Sequence, residues 1–304
     1  MKRMMWALVL ICFHVDAVAD ETAKPLTIPF SESGDGLGLQ AAQEESLAWG
    51  PSDICISKKG IWVADSVNSR VTLWGNKANL KESRTTPFPP AGLWCNPEGH
   101  TWVMNGSKEQ GFFMDGKAPG TSYPLPEKTS QFTTGPNGAP WVILQNGHSV
   151  PLLGKAGIRR AIPMGKDRAF HAIGRKVNGT TGEILLWPWN APAEVKGTGP
   201  IRRVKVEVDG LLGSITPIGM DAEGRLFIHV ESLGKGIPVR VRHQILRVTR
   251  KGERTQIQWE PSALHPHLDG RYLSTNHDLF RFSSLADGLV IQSFGPRDWQ
   301  EVSP

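Results

Sequence analysis

Between Gly50 and Gly75, Ile54 and Ile56 alternate with Asp53, Cys55 and Ser57, and the next segments are rich in aromatic and β-branched residues, which predicts short β-strands. Gly60 marks the first tight turn, because glycine adopts positive φ without a steric penalty. A second strand is predicted from Ile61 to Ala64, and a third from Arg70 to Trp74. Apolar residues do not recur at helical spacing in this segment, so we predict that it is entirely β.

The same unit recurs along the chain at a spacing of about 40 residues. Six copies are centred on Trp62, Trp102, Trp141, Leu185, Phe227 and Tyr272. Repeats of this length, each rich in strands, predict an all-β protein: a six-bladed β-propeller with antiparallel four-stranded blades. We expect the three tryptophans at the repeated position to be buried against neighbouring blades.

The first unit resembles the NHL-repeat family of β-propellers. The matching residues are the strand Pro51 to Ser57, the turn residue Gly60, and the sequence VADSVNSRV from Val63 to Val71. Asp65, Asn68 and Arg70 occupy the polar positions of that repeat. The other copies keep the glycine and the hydrophobic core but lose the polar part. The resemblance implies a propeller over most of the chain, whereas propellers include both enzymes and binding scaffolds.

The chain begins with a segment that is typical of a secretory signal peptide, residues 1–19. Its apolar run from Trp6 to Phe13 is short, and Ala17-Val18-Ala19 matches a cleavage site. An uncleaved anchor is the alternative. Residues 20–49 form a polar lead-in whose segment Lys24 to Phe30 could add a closing strand, and residues 50–304 form the propeller. We therefore expect an exported protein, periplasmic or secreted, without a transmembrane segment after cleavage.

Charge and cysteine content add two expectations. The net charge of +5 is too small to indicate a class of partner, and the absence of a nucleic-acid-binding motif argues against nucleic acid. Cys55 and Cys95 occupy matching positions in adjacent repeats, so their side chains should point the same way round the ring. A disulfide needs facing Cβ atoms, so we expect two buried free thiols, although export would permit a disulfide.

A candidate binding face is predicted from the polar loops between the second and third strands of the repeats. Loops carried by a rigid scaffold are the usual place for a binding site. The candidate residues are Asp65, Asn68, Arg70, His148, Glu231 and His277. The alternative for Arg70 is that it only fixes its own turn.

Two further groups of residues are weaker candidates. Arg240 and Arg242 alternate with Val239 and Val241, which predicts a strand with one buried face and one face that could bind an anion. The alternative is a solvated outer strand protected by its charge.

Histidines provide the second of these groups. Peptidyl-amidoglycolate lyases, propellers related to the NHL family, hold zinc with axial histidines. By that resemblance the candidate metal ligands here are His171, His229, His265 and His267, although they sit at different offsets within their repeats. We expect no cofactor, with zinc or calcium as the alternative.

These patterns together favour an exported NHL-like propeller that acts as a binding or scaffolding module for a protein, a peptide or a glycan. The alternative is a metal-dependent lyase or hydrolase that uses axial histidine and aspartate ligands.

Overall fold

The structure is a computed structural model of the chain. It describes residues 24–31, 33–42, 48–114, 120–135, 138–145, 148–153, 159–160, 162–164, 170–188, 200–221, 223–236, 239–259, 269–273 and 278–302. The predicted signal peptide lies outside this range, as do His265, His267 and His277. No helix among the described residues is long and apolar enough to cross a membrane.

Almost all of the regular structure is β, as the alternating pattern predicts. In chain order the strands are β1 (Leu26–Pro29), β2 (Asp53–Ser57), β3 (Gly60–Asp65), β4 (Arg70–Trp74), β5 (Leu80–Thr85), β6 (Pro90–Cys95), β7 (Thr101–Asn105), β8 (Gln110–Met114), β9 (Ser122–Pro124), β10 (Thr129–Thr134), β11 (Pro140–Leu144), β12 (His148–Pro151), β13 (Arg159–Arg160), β14 (Ile162–Met164), β15 (Phe170–Lys176), β16 (Thr181–Pro188), β17 (Arg202–Glu207), β18 (Leu211–Met220), β19 (Leu226–Leu233), β20 (Val241–Val248), β21 (Arg254–Trp259), β22 (Asp269–Leu273), β23 (Leu279–Leu285), β24 (Gly288–Ser293) and β25 (Gln300–Glu301). A short 3-10 helix, Pro296–Asp298, precedes β25.

The strands form six small antiparallel sheets, which are the blades of a six-bladed β-propeller. Blades 1 to 5 begin with β2, β6, β10, β14 and β18, and blade 6 begins with β22. These first strands contact one another in succession, and β22 contacts β2, so they surround the axis of a closed ring. The predicted fold class is confirmed.

The antiparallel order within the blades defines one face of the ring, which we call the entry face. The first strand of each blade begins there, and the second strand turns into the third at the same end. Asp53 at the start of β2 pairs with Ala64 near the end of β3, which shows this shared end in blade 1. The opposite turn of that blade needs glycine: Gly60 has φ of +138°, and a Cβ there would lie 2.2 Å from the Trp74 carbonyl oxygen.

The two ends of the described chain tie blades 5 and 6 into the ring. β1 pairs with β24 and becomes the outermost strand of blade 6, so the lead-in supplies the strand that closes the ring. β25 pairs with β21 as a fifth strand of blade 5. Between β24 and β25, Phe294 and Trp299 pack against the core residues Phe227, Ile245 and Leu279.

The predicted core tryptophans are buried. Trp62, Trp102 and Trp141 are 0%, 4% and 5% exposed, and each lies on the second strand of its blade. Phe227 holds the same position in blade 5. These side chains fill the space between blades, which is where a stack of sheets buries its apolar surface.

Two of the six repeat centres are wrong. Leu185 lies on β16, the third strand of blade 4, and Tyr272 lies on β22, the first strand of blade 6. The glycines that precede them in the sequence, Gly182 and Gly270, lie inside strands rather than in turns. The number of blades is nevertheless correct, because each copy still falls within a different blade.

The expectation of two free thiols is also wrong. Cys55 and Cys95 form a disulfide between the first strands of blades 1 and 2, with Cα atoms 5.9 Å apart. Cys55 pairs with Trp62 across its blade, whereas in blade 2 the partner of Trp102 is Trp94, one residue before Cys95. A shift of one residue turns a side chain to the other face of the sheet, so Cys95 points back towards Cys55.

Candidate functional site

A cavity of about 470 Å³ opens on the entry face, beside the start of the first strands. Blades 1, 2, 3 and 6 all contribute residues to its wall, so it lies at the mouth of the ring axis. We call it the axial mouth. Its lining residues are Trp49, Gly50, Pro51, Ser52, Asp53, Ala91, Lys108, Ser130, Gln131, Gly270, Arg271 and Phe282.

Asp53 is the one acidic group among these lining residues. Its two carboxyl oxygens accept hydrogen bonds from the backbone N–H groups of Ile54 and Leu93, both at 2.9 Å. The second bond comes from blade 2, so the carboxyl group is fixed across a blade boundary. Burial raises the pKa of Asp53 to about 7, although these two hydrogen bonds and the nearby Lys108 oppose the shift. At neutral pH both the protonated and the ionised form of this carboxyl group are therefore populated.

Lys108 brings a positive charge to the wall of the axial mouth. It lies in the loop between β7 and β8, and its Nζ donates to the Ser130 carbonyl oxygen at 2.9 Å. Asn105 holds this loop in shape, because its side-chain oxygen accepts from the N–H groups of Glu109 and Gln110 at 3.0 Å. The ammonium group therefore has a defined position, with further hydrogen atoms that can reach a ligand.

β-Bulges occur near the start of three of the first strands. The ladder pairing skips Ala91 in β6, Ser130 in β10 and Gly213 in β18. A bulge leaves one residue out of the ladder and bends the strand, and bulges are frequent beside functional sites. Ala91 and Ser130 both line the axial mouth, so the residues that the bulges leave out of the strand pairing lie at the cavity.

Trp49 adds a large aromatic surface at the rim. It is 44% exposed, in contrast to the buried tryptophans of the repeats. Its backbone is fixed by two hydrogen bonds with Gln40, at 2.7 and 2.9 Å, within the lead-in. An exposed indole beside polar groups is a suitable surface for a ligand that has both apolar and polar sides.

The predicted residues Asp65, Asn68 and Arg70 lie together on the entry face, but they bind their own chain. The buried Asp65 carboxylate accepts from Asn68 Nδ2 at 2.9 Å and from Arg70 Nε at 2.7 Å. It also accepts from the Gly38 N–H at 3.0 Å. The Arg70 guanidinium donates further to the carbonyl oxygens of Gly34 and Gly36. These residues fasten the lead-in onto blade 1.

Glu231 is the one other candidate for the binding face whose side chain the structure describes, and it lies in blade 5, whereas Arg70 lies in blade 1. Glu231 lies within β19 rather than in a loop, and Ser214 Oγ donates to its carboxylate at 3.3 Å. His148 begins β12, and its side chain is outside the described residues. His277 is undescribed and falls between β22 and β23, the first and second strands of blade 6.

The two arginines proposed for anion binding differ in their setting. β20 begins at Val241, so Arg240 and Val239 precede the strand, and Val239 is 59% exposed rather than buried. Arg242 is an exposed residue of β20, an interior strand of its sheet. It lines a groove of about 140 Å³ together with Asp209 and Glu207, so the charge there is mixed.

His229, a candidate metal ligand, lies on β19, the second strand of blade 5, and so does not line the axis. Its Nε2 lies 3.0 Å from Nδ1 of His243, which lies 3.2 Å from an Arg271 nitrogen. Arginine can only donate, so His243 Nδ1 accepts and His229 Nε2 carries the shared proton. Burial, together with the charges of Arg271 and His243, lowers the pKa of His229 to about 3. Trp259 lies against both imidazoles, with Arg271 over its ring.

The remaining histidines do not complete a metal site in the described part of the chain. His171 lies on β15, again a second strand, and its side chain is outside the described residues. His265 and His267 are undescribed. No group of three or more His, Cys, Asp or Glu residues suited to a metal ion occurs among the residues that the structure describes.

Sequence reasoning identified the entry face but missed most of the cavity on it. Lys108 lies in the loop between the second and third strands of its blade, which is the kind of loop that the sequence predicts for a binding site. Loop polarity gives no reason to select Asp53, which lies on a strand, or Trp49, which lies in the lead-in. The available signal was Asp53 itself, a carboxylate at the start of a strand whose next residues are apolar.

Comparison with known proteins gives structural similarity alone. No family model matches the sequence, and no curated protein matches it. Virginiamycin B lyase from Staphylococcus aureus is 15% identical, with a TM-score of 0.42 over 81% of this chain and 84% of that one. Regucalcin from Agrobacterium tumefaciens, a calcium-binding protein, is 13% identical, with a TM-score of 0.45 over 80% and 89% of the two chains. Kluyveromyces lactis Hsv2 is 10% identical, with a TM-score of 0.42 over 84% and 99%.

The names of these three proteins do not describe one shared activity. Their similarity to this chain is too low to support an argument about its activity. The assignment of the fold rests on the six sheets and on the ring of contacts between their first strands. On that basis the chain is a six-bladed β-propeller.

Proposed function

We propose that this protein is a binding module whose ligand enters the axial mouth. The observation that carries the proposal is the convergence of Asp53, Lys108 and the exposed Trp49 on one cavity of about 470 Å³. A concave site with an aromatic surface and a few fixed polar groups is the usual form of a ligand site. A glycan or a peptide fits this chemistry, because either has apolar surface to place on the indole and polar groups to place on Asp53 and Lys108.

The setting of the site supports binding by a rigid receptor. Hydrogen bonds fix Asp53 across the boundary between blades 1 and 2. Arg70 and Asp65 hold the lead-in that carries Trp49. Groups held in place before binding lose little entropy on binding, which favours affinity.

The proposal includes the NHL-like character of the first repeat and export from the cytosol. The Cys55–Cys95 disulfide supports export, because such bonds persist mainly in oxidising compartments. Mass spectrometry of the mature protein recovered from the producing cells tests this part. An intact leader, together with two free thiols, would contradict it.

Binding can be tested with arrays of glycans and peptides and three single variants. Trp49→Ala and Lys108→Met each remove one feature of the axial mouth. Lys235→Met is the matched control, because Lys235 lies in the corresponding loop of blade 5 and its Nζ contacts Asp209 at the surface. We expect the first two variants to lose the signal of the wild-type ligand, and Lys235→Met to keep it. Equal signals from all four proteins would refute the site.

A second candidate function is acid–base catalysis in the same cavity. It is favoured by one observation, the pKa of Asp53 at about 7, since a group that titrates near neutrality can both accept and donate a proton. Mass spectrometry of a bound ligand after incubation distinguishes the two functions, because an enzyme would convert it. Elemental analysis of the purified protein tests the metal-dependent alternative, for which about one zinc or calcium ion per chain is expected.

A further inference from the structure

The charges at the axial mouth restrict the kind of ligand that it can take. Among the described residues that line it, the charged groups are Asp53, Lys108 and Arg271. Two of these, Lys108 and Arg271, are basic side chains. The third is Asp53, whose charge changes between pH 6 and 8 because burial raises its pKa to about 7.

We infer that the axial mouth binds a carbohydrate that carries a carboxylate, such as a uronic acid residue, and that it binds this ligand more tightly below neutral pH than above it. This inference rests on the proposed function. Trp49 provides the flat apolar surface on which the C–H face of a sugar ring can lie. Lys108 provides the positive charge for the carboxylate.

Asp53 provides the dependence on pH. In its protonated form it donates a hydrogen bond to the ligand carboxylate, and in its ionised form it repels that carboxylate. Among the described residues that line the axial mouth, the elements packed against Asp53 bring no second acidic group. β3 places Ala64 opposite it, and β6 contributes the Leu93 N–H. The β7–β8 loop brings Lys108, and β22 brings Arg271.

The size of the effect follows from proton linkage. If the ligand binds only when Asp53 is protonated, a pKa of about 7 predicts an affinity about 10-fold higher at pH 6 than at pH 8. Uronic acids keep their negative charge throughout this range. The ligand therefore adds no slope of its own.

The experiment is calorimetric titration of the full mature chain with uronate trimers and with their neutral counterparts. The probes are trimers of galacturonate, glucuronate and mannuronate, paired with trimers of galactose, glucose and mannose. At pH 6 we expect at least one uronate trimer to bind about 10-fold more tightly than its neutral counterpart. The affinity for that uronate should be about 10-fold lower at pH 8 than at pH 6. Lys108→Met should weaken this binding at both pH values, and Lys235→Met should leave it unchanged.

Two measurements isolate Asp53. Titration of the wild-type protein at pH 8 in buffers of different ionisation enthalpy should show uptake of about one proton per ligand. Asp53→Asn cannot titrate, so its affinity should be the same at pH 6 and pH 8. If that variant does not fold, proton uptake by the wild-type protein decides alone.

The outcomes separate this inference from the proposed function. Equal affinity for the uronate and neutral trimers, or no binding of any uronate, overturns the inference. If another array ligand still depends on Trp49 and Lys108, the proposed function stands without it. A uronate that binds without proton uptake, and with equal affinity at both pH values, refutes the part of the inference that concerns Asp53.

Discussion

Removal of the Arg70 side chain tests the network that fastens the lead-in to blade 1. Asp65 is fully buried, and the Arg70 side chain is only 13% exposed. Arg70→Ala removes one charge-assisted hydrogen bond to Asp65 and two hydrogen bonds to backbone carbonyls. It also leaves the Asp65 carboxylate buried, with Asn68 and the Gly38 N–H as its remaining partners among the described residues.

The loss should be large for a single substitution. Breaking one side of a buried ion pair typically costs about 3–5 kcal/mol, because the remaining charge stays out of water. In a domain of this size 1 kcal/mol lowers Tm by about 2–4 °C, so a decrease of roughly 10 °C is expected. The control is Arg175→Ala, since Arg175 pairs with Glu183 but its side chain is 56% exposed. Exposed pairs contribute at most about 1 kcal/mol.

Differential scanning calorimetry of the two variants decides the question. A Tm for Arg70→Ala that lies as close to the wild-type value as that of Arg175→Ala would refute the reasoning. The network would then contribute nothing to stability, and Arg70 would again be a candidate for contact with a partner. Ligand binding measured below the transition of the variant gives the complementary result, because a loosened lead-in should also misplace Trp49.

Three further predictions concern the core, the disulfide and the histidine pair. Trp102 is 4% exposed and packs on Phe113 and Tyr123, so Trp102→Ala should cost about 3–5 kcal/mol; an unchanged denaturation midpoint would contradict its placement. The Cys55–Cys95 bond closes a loop of 40 residues, for which the chain-entropy model gives a stabilisation of about 4 kcal/mol. A reductant should therefore lower the Tm of the wild-type protein, but it should not lower the Tm of a Cys55→Ser/Cys95→Ser variant. The pKa of His229, about 3, lies below that of an unfolded histidine, so the unfolded chain takes up the proton first and the protein should lose stability as pH falls from about 6.5 to 3. NMR should accordingly show no titration of His229 between pH 5 and 8.

The fold was predictable because several blades repeat a local signal. The turn at Gly60 and the buried Trp62 depend on residues close in sequence, and so do the equivalent turns and tryptophans of blades 2 and 3. Blades 4 and 6 lack this signal, so Leu185 and Tyr272 were placed on the wrong strands. The register of the strands could not be predicted from the repeat, because a change in the length of one turn shifts the position of every later residue of the blade.

The disulfide and the axial mouth depend on contacts that no local pattern encodes. Cys95 faces Cys55 because the register of blade 2 differs by one residue from that of blade 1. Asp53 is fixed by an N–H group of the next blade, and the bulges at Ala91 and Ser130 have no sequence signature. Sequence order was enough to predict that the loops between second and third strands share one face, whereas the cavity on that face required the positions of four blades.

The pairing of β1 with β24 also constrains how the molecule can be made. Leu26 pairs with Ile291, so one of the first strands to be synthesised has no partner until nearly all of the chain has been produced. Blades 1 to 4 are complete in sequence order and can form as the chain emerges, but the ring remains open until the end. During synthesis β1 exposes a full strand edge, which is the kind of surface that pairs with other chains. A chaperone that shields this segment, or delivery of the chain unfolded to the place where it folds, would protect it until blade 6 exists.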